Sequence, residues 1–205
     1  MKAVSVLCVA AALLAGCAAR LPGPSLPAEV DSRNAKRAAE VGGWQQWGLT
    51  GRLGLDDGKD GGSGRLDWRV HGTDSTLDFR GAMGRGAWRL DITGQGARLE
   101  RADGSITRAE GIADLVLTET GMQLPVDALQ WWVRGLPQPQ STFSQRLDDE
   151  GLLLELEQLG WQIRYERWMD HGAWSMPRRL EATDGQQRVK LAVSRWWDGS
   201  GPADG

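Results

Sequence analysis

Cysteine is nearly absent from the 205 residues; Cys8 and Cys17 are the only two, and both lie close to the N-terminus. That excludes a disulfide framework and thiolate metal sites. Histidine is as scarce. His71 and His171 sit beside turn glycines, read as exposed loop residues, and have no serine or carboxylate placed to work with them. No Gly-x-Ser-x-Gly, His-Glu-x-x-His or phosphate-loop pattern occurs. Glu155 and Glu157 fall on the polar face of a predicted strand, the pattern of a solvated edge rather than an acid/base pair. No enzyme, cofactor or metal is therefore expected. The net charge is only −3 and the cations are scattered along the chain, which argues against a nucleic-acid groove or a polybasic run. Nor is any apolar stretch near the roughly 20 residues that a bilayer-crossing helix needs.

What the chain has in excess is tryptophan: 11, against one Tyr and two Phe. All lie beyond residue 43, so large apolar rings stand where ordinary cores use smaller groups.

The N-terminus reads as a secretory signal: one Lys2, an apolar run, then Leu14-Ala15-Gly16-Cys17. Bulky Leu7 precedes Cys8, whereas small residues precede Cys17, which is expected to carry a lipid anchor once residues 1–16 are removed. Residues 17–31 are small and Pro-rich, an extended tether. Residues 32–198 are read as one domain and 199–205 as an unstructured tail.

A helix is expected over about 32–46. Period-two alternation follows, with Trp47, Leu49, Leu53 and Leu55 on one face and Gln46, Thr50 and Arg52 on the other. The same rhythm marks Leu66, Trp68 and Val70; Leu77 and Phe79; Trp88, Leu90 and Ile92; Leu152, Leu154 and Leu156; Trp161, Ile163 and Tyr165; Leu180 and Ala182; and Val189, Leu191 and Val193. Turn signals such as Asp57-Gly58, His71-Gly72 and Asp184-Gly185 separate these runs, as in a meander. Two short helices interrupt it, one from Ile112 to a stop at Gly121, one opened by Pro125 and stopped at Gly135. The fold class is mainly β, a curved antiparallel sheet whose apolar concave side the helices cover. Pattern does not decide whether the space between is filled or hollow.

One loop breaks the rule that turns are polar: Gly81-Ala82-Met83-Gly84 puts an apolar side chain among glycines. Met83 is either a core plug or an exposed apolar tip that enters a membrane or ligand.

Taken together, the motifs resemble the LolB family of outer-membrane lipoprotein receptors. The resemblance rests on the lipobox at Cys17, on Trp47-Gly48-Leu49-Thr50-Gly51-Arg52-Leu53, Gly64-Arg65-Leu66-Asp67-Trp68-Arg69 and Gly81-Ala82-Met83-Gly84-Arg85-Gly86-Ala87, on Leu124-Pro125-Val126, on Trp131-Trp132-Val133-Arg134-Gly135-Leu136-Pro137, and on Gly160-Trp161-Gln162-Ile163-Arg164-Tyr165. The resemblance implies an unclosed antiparallel β-barrel, a half-barrel enclosing an apolar cavity under a helical lid. It implies a monomer that accepts triacylated lipoproteins from the periplasmic carrier LolA and inserts them into the inner leaflet of the outer membrane, where the protein is itself anchored, facing the periplasm. Met83 stands where the family's protruding apolar residue, usually Leu, is found, and Ala18 after the lipidated cysteine points to the outer membrane. The acyl-cavity candidates are Trp47, Leu49, Leu53, Leu66, Trp68, Phe79, Trp88, Leu90, Leu129, Trp132, Trp161 and Ile163. An acyl chain of about 15 methylenes costs on the order of 12 kcal/mol to expose to water, so such cargo needs an apolar container. With no nucleotide motif, transfer runs downhill in affinity. The alternatives are a lipid-binding or sensing lipoprotein with the same half-barrel that inserts nothing and, less favoured for want of a catalytic set, an anchored hydrolase.

Overall fold

The computed structural model describes residues 28–81 and 86–199. The signal segment, Cys17, Ala18 and the loop residues Ala82, Met83 and Gly84 lie outside the described residues.

The chain opens with α1 (Ala28–Gly42). This helix begins four residues before the expected start at Ser32, inside the stretch read as tether, and ends four residues before Gln46. Glu29 and Asp31 in its first turn favour the early start by facing the positive end of the helix dipole, while Gly42-Gly43 ends it and frees Gln46 to begin a strand.

Strands β1 (Gln46–Asp56), β2 (Gly61–His71), β3 (Asp74–Gly81), β4 (Trp88–Thr93), β5 (Gly96–Arg101) and β6 (Ile106–Ala109) form one meander. Then come α2 (Ile112–Thr120) and α3 (Val126–Trp132), and a second meander of β7 (Phe143–Leu147), β8 (Leu153–Gln158), β9 (Trp161–His171), β10 (Trp174–Thr183) and β11 (Arg188–Trp197). All eleven strands form one sheet in the order β6-β5-β4-β3-β2-β1-β11-β10-β9-β8-β7. β11 closes on β1 in antiparallel register, so the chain's first and last strands are neighbours at its centre. β6 and β7 are the free edges, and α2 and α3 lie on the chain segment joining them.

The alternation places Trp47, Leu49, Leu66, Trp68, Val70, Ile163, Tyr165, Leu180, Val189, Leu191 and Val193 in the core, as expected. Three strands went unread. β5 alternates over only two apolar residues, Ala97 and Leu99, β6 is four residues long, and β7 is almost wholly exposed, so none gives a run long enough to mark a half-buried strand. β8 corrects the expected Leu152/Leu154/Leu156 face. Leu153 and Leu156 are the buried pair there, because a register shift between Arg146 and Leu147 leaves Leu154 as the extra residue. His171 is not the exposed loop residue expected. It ends β9 half-buried, edge-on to Trp44 at 6.2 Å, with its Nε2 3.4 Å from Asp198. His71 is exposed and packs on Trp197.

The buried apolar residues do not make one continuous core. A large cluster centres on Trp47, Trp132, Leu156 and Ile163, while a small one of Leu90, Ala97, Leu99 and Leu115 lies between β4, β5 and α2. Leu77 packs against both.

Candidate functional site

Between the two clusters is a cavity of about 150 Å3. Its walls are inward residues of the sheet, among them Leu53, Leu66, Trp68, Leu90, Leu99, Leu180 and Leu191, and its roof is Leu115 and Val116 of α2 with Leu129 and Trp132 of α3. Only Glu119 and Thr120, at the end of α2, are polar. Strand alternation builds such a wall, since every second side chain from neighbouring strands points to one face. The two tryptophans deepest in it keep their ring nitrogens occupied elsewhere. Trp68 donates to Ser75 Oγ at 2.7 Å and Trp132 to Gln158 Oε1 at 2.8 Å. The cavity therefore meets their ring carbons and asks no polar partner of a ligand.

Seven of the twelve acyl-cavity candidates line this space: Leu53, Leu66, Trp68, Trp88, Leu90, Leu129 and Trp132. The other five are placed around it. Trp47 is fully buried between Trp68 and Trp196; Leu49 is buried on the same strand. Ile163 is core, and Trp161 packs against Trp132 at 6.3 Å. Phe79 stacks on Trp88 at 5.2 Å and leans over Gly64, where a Cβ would come within 2.6 Å of its ring. Leu55, Leu77, Val189 and Ala182 also line the cavity, and the alternation already marks them as inward. Among strand residues Leu99 is the liner that went unseen, because β5 did, and Leu124 between the helices also lines the cavity.

The roof is held on both flanks. On one, Arg101 at the end of β5 grips Glu119 of α2. On the other, α1 is tied to the segment after α3 by two buried arginines with no carboxylate partner among the described residues. Arg37 donates to the carbonyls of Ser175 (2.8 Å), Gly135 (2.9 Å) and Arg134 (2.6 Å), and its guanidinium lies 4.7 Å over Trp168. Arg134 donates to Val41 O at 2.9 Å and packs against Trp131 and Trp47. Desolvation brings both down to about 10; for Arg37, Tyr165 opposes the shift and the charge of Arg134 adds to it. Gly135, in the left-handed region at φ 71°, lets the chain pass beneath Trp168, where a Cβ would stand 2.5 Å from the ring. Neither arginine carries a sequence signal of its role, since a lone Arg in a helix reads as surface.

Residues 45–196 match the family model described as outer membrane lipoprotein LolB. A protein of Stutzerimonas stutzeri named outer-membrane lipoprotein LolB is 34% identical over 190 residues, 91% of either chain. Among solved structures, a putative outer membrane lipoprotein-sorting protein domain from Vibrio parahaemolyticus superposes with a TM-score of 0.53, over 84% of this chain and 93% of that one, at 11% identity. A LolA superfamily protein from Nitrosomonas europaea gives 0.51, over 84% and 94%, at 9% identity. These two likenesses are of fold.

Proposed function

The chain belongs to the LolB family of outer-membrane lipoproteins and is a lipoprotein receptor, and from that premise we propose how it works. It takes lipoproteins from a LolA-type periplasmic carrier, holds their acyl chains in the cavity under α2 and α3, and passes them to the inner leaflet of the outer membrane. It acts without catalysis, as a monomer anchored through Cys17 and facing the periplasm. The observation that carries this is the cavity, apolar except for Glu119 and Thr120. A space of 150 Å3 holds a molecule about the size of benzene, far less than one acyl chain. Loading therefore requires α2 and α3 to move outward, and cargo repays the lost contacts with its own methylenes, at about 0.8 kcal/mol each.

The test is transfer: the purified protein mixed with a carrier loaded with a lipoprotein should strip the carrier. Cargo that stays on the carrier at every receptor concentration overturns the reading. Met83 is proposed as the apolar tip for insertion, so Met83→Glu should accept cargo normally but deliver it poorly to liposomes; equal delivery by mutant and parent removes that role. The small volume favours one other reading, a sensor for a single small apolar ligand, and a tightly held native molecule extracted from the purified protein would support it.

A further inference from the structure

The arginines, scattered in sequence, are not scattered in register. On the outer face of the sheet Arg52 pairs with Arg65, and Arg65 with Arg80, in one row across β1, β2 and β3. All three are exposed. Like charges directly opposite each other weaken a sheet, so the row is held at the fold's expense. Its internal relief among the described residues is slight: Arg65 Nε lies 3.1 Å from Asp67, and Arg52 reaches the Ser63 hydroxyl at 3.4 Å. The row lies one register step from the Gly64–Gly81 pair, at the sheet end from which segment 82–85 leaves.

The large apolar side chains that stay exposed gather at that same end. Ile106 (43%) begins β6 beside the end of β5, and Leu117 (39%) lies in the half of α2 that Glu119 ties to Arg101. Phe143 (48%) pairs with Gln158 at the end of β8, and Leu159 (51%) is in the turn that follows. Leu159 is held at φ 54°, a left-handed conformation that Gly or Asn would adopt more cheaply. Several carboxylates at this end are turned into their own loops: Asp57 accepts from the amides of Lys59 and Asp60, Asp103 from Ser105, and Asp184 from Gln186 and Gln187, while Asp60 and Glu157 stay exposed. The opposite end carries Asp148, Asp149, Glu150 and Asp170.

We infer that this end of the half-barrel is a docking face for an anionic lipid surface. Arg52, Arg65 and Arg80 take the phosphates of anionic phospholipid headgroups, and Leu159, Phe143 and Ile106 enter the apolar zone beneath. A guanidinium fork suits phosphate, and apolar tips beside cations suit a bilayer interface better than an acidic protein surface. The tether permits it: an extended chain from Cys17 to Ala28 spans up to about 38 Å, and an 11-residue strand such as β2 is about 36 Å long. The anchor and the face can thus meet one membrane. The inference rests on the proposed delivery to a membrane, and adds which surface of the protein meets it and which lipids it selects.

The experiment uses the full acylated protein in nanodiscs of phosphatidylcholine alone or mixed with phosphatidylglycerol, and reads amide hydrogen exchange. Exchange at 104–106 and 159–160 should slow with phosphatidylglycerol. The triple variant Arg52→Gln/Arg65→Gln/Arg80→Gln should keep the parent's cooperative melt and lose that slowing, since each basic residue near an anionic leaflet is worth about fivefold in binding. Equal exchange in the two disc compositions, or a triple variant slowed as much as its parent, overturns the inference. So does slowing by a soluble LolA-type carrier with none from the discs, which would give the face to a protein. Uptake of cargo from the carrier, measured without lipid, reports separately on the proposed function. Its failure with the lipid effect intact would sink that reading and leave the docking face.

Discussion

Arg101 and Glu119 join the end of β5 to the last turn of α2, with Arg101 Nε donating to Glu119 Oε2 at 2.9 Å and a second, parallel contact through Nη2. The bidentate pair lies at the polar part of the described cavity lining, Glu119 and Thr120, so it holds that edge of the roof down. Both side chains are partly solvated, which limits the pair to about 1 kcal/mol.

Arg101→Gln should therefore cost the fold less than about 1 kcal/mol in a urea melt while raising the association rate of a fluorescent fatty acid severalfold. An unchanged rate would show that α2 is not what the ligand waits for.

Leu129 stands half-buried on α3 and faces the cavity. In Leu129→Glu a carboxylate must share that space with hydrocarbon or swing out, so affinity for the same probe should fall at least about tenfold with little change in melting temperature. Retained affinity would place the acyl chain elsewhere.

Arg37→Met addresses the other flank. It leaves the buried carbonyls of Ser175, Gly135 and Arg134 without their donor. We expect a loss of about 3 kcal/mol and a melting temperature lower by roughly 10 °C, with Arg37→Lys intermediate. A neutral result would mean that water replaces the guanidinium.

How much of this could be read from sequence follows from what each residue needs. Trp68 and Leu66 needed only to alternate with charged neighbours, and among the ten strand candidates that pattern put five on the cavity wall. Trp47 and Ile163 have the same pattern and are core, because lining or filling depends on how far the opposite wall stands, a distance no local pattern contains. The Arg52, Arg65 and Arg80 row is invisible for a related reason: it exists only once strand register is fixed. The left-handed turn of Leu159 likewise leaves no mark in the local pattern.

Leu159→Asn should raise stability by about 0.5–1 kcal/mol, because Asn tolerates the left-handed conformation, and should weaken the exchange slowing at 104–106 on phosphatidylglycerol discs. A loss of stability in the urea melt would show that leucine is there for packing.

Asp67 gives a pH dependence. Partial burial raises its carboxyl, but hydrogen bonds from Thr50 (2.6 Å) and Arg65, with the charges of Arg65 and Arg69, outweigh this and hold it below the ordinary carboxylate value. A depressed carboxyl stabilises the fold above its unfolded value near 4, and that contribution is lost as pH falls below it. Thr50→Val should move the acid-unfolding midpoint upward, and an identical midpoint would assign acid sensitivity to other groups.

The free edges β6 and β7 are joined by helices rather than by a ladder of hydrogen bonds. A closed barrel can widen only by breaking backbone bonds, each of them costly once torn from its partner. Here the perimeter has a line crossed by apolar packing and a few side-chain ties such as Arg101–Glu119 and Trp132–Gln158, with no backbone ladder, and the split between the Trp132 and Leu99 clusters runs beneath it. The wall can yield there while every strand keeps its register. The elasticity of the vessel is thus set by side chains along α2 and α3, by their size and by a few polar ties, and one backbone can be tuned to cargo of different girth without redesign of the sheet.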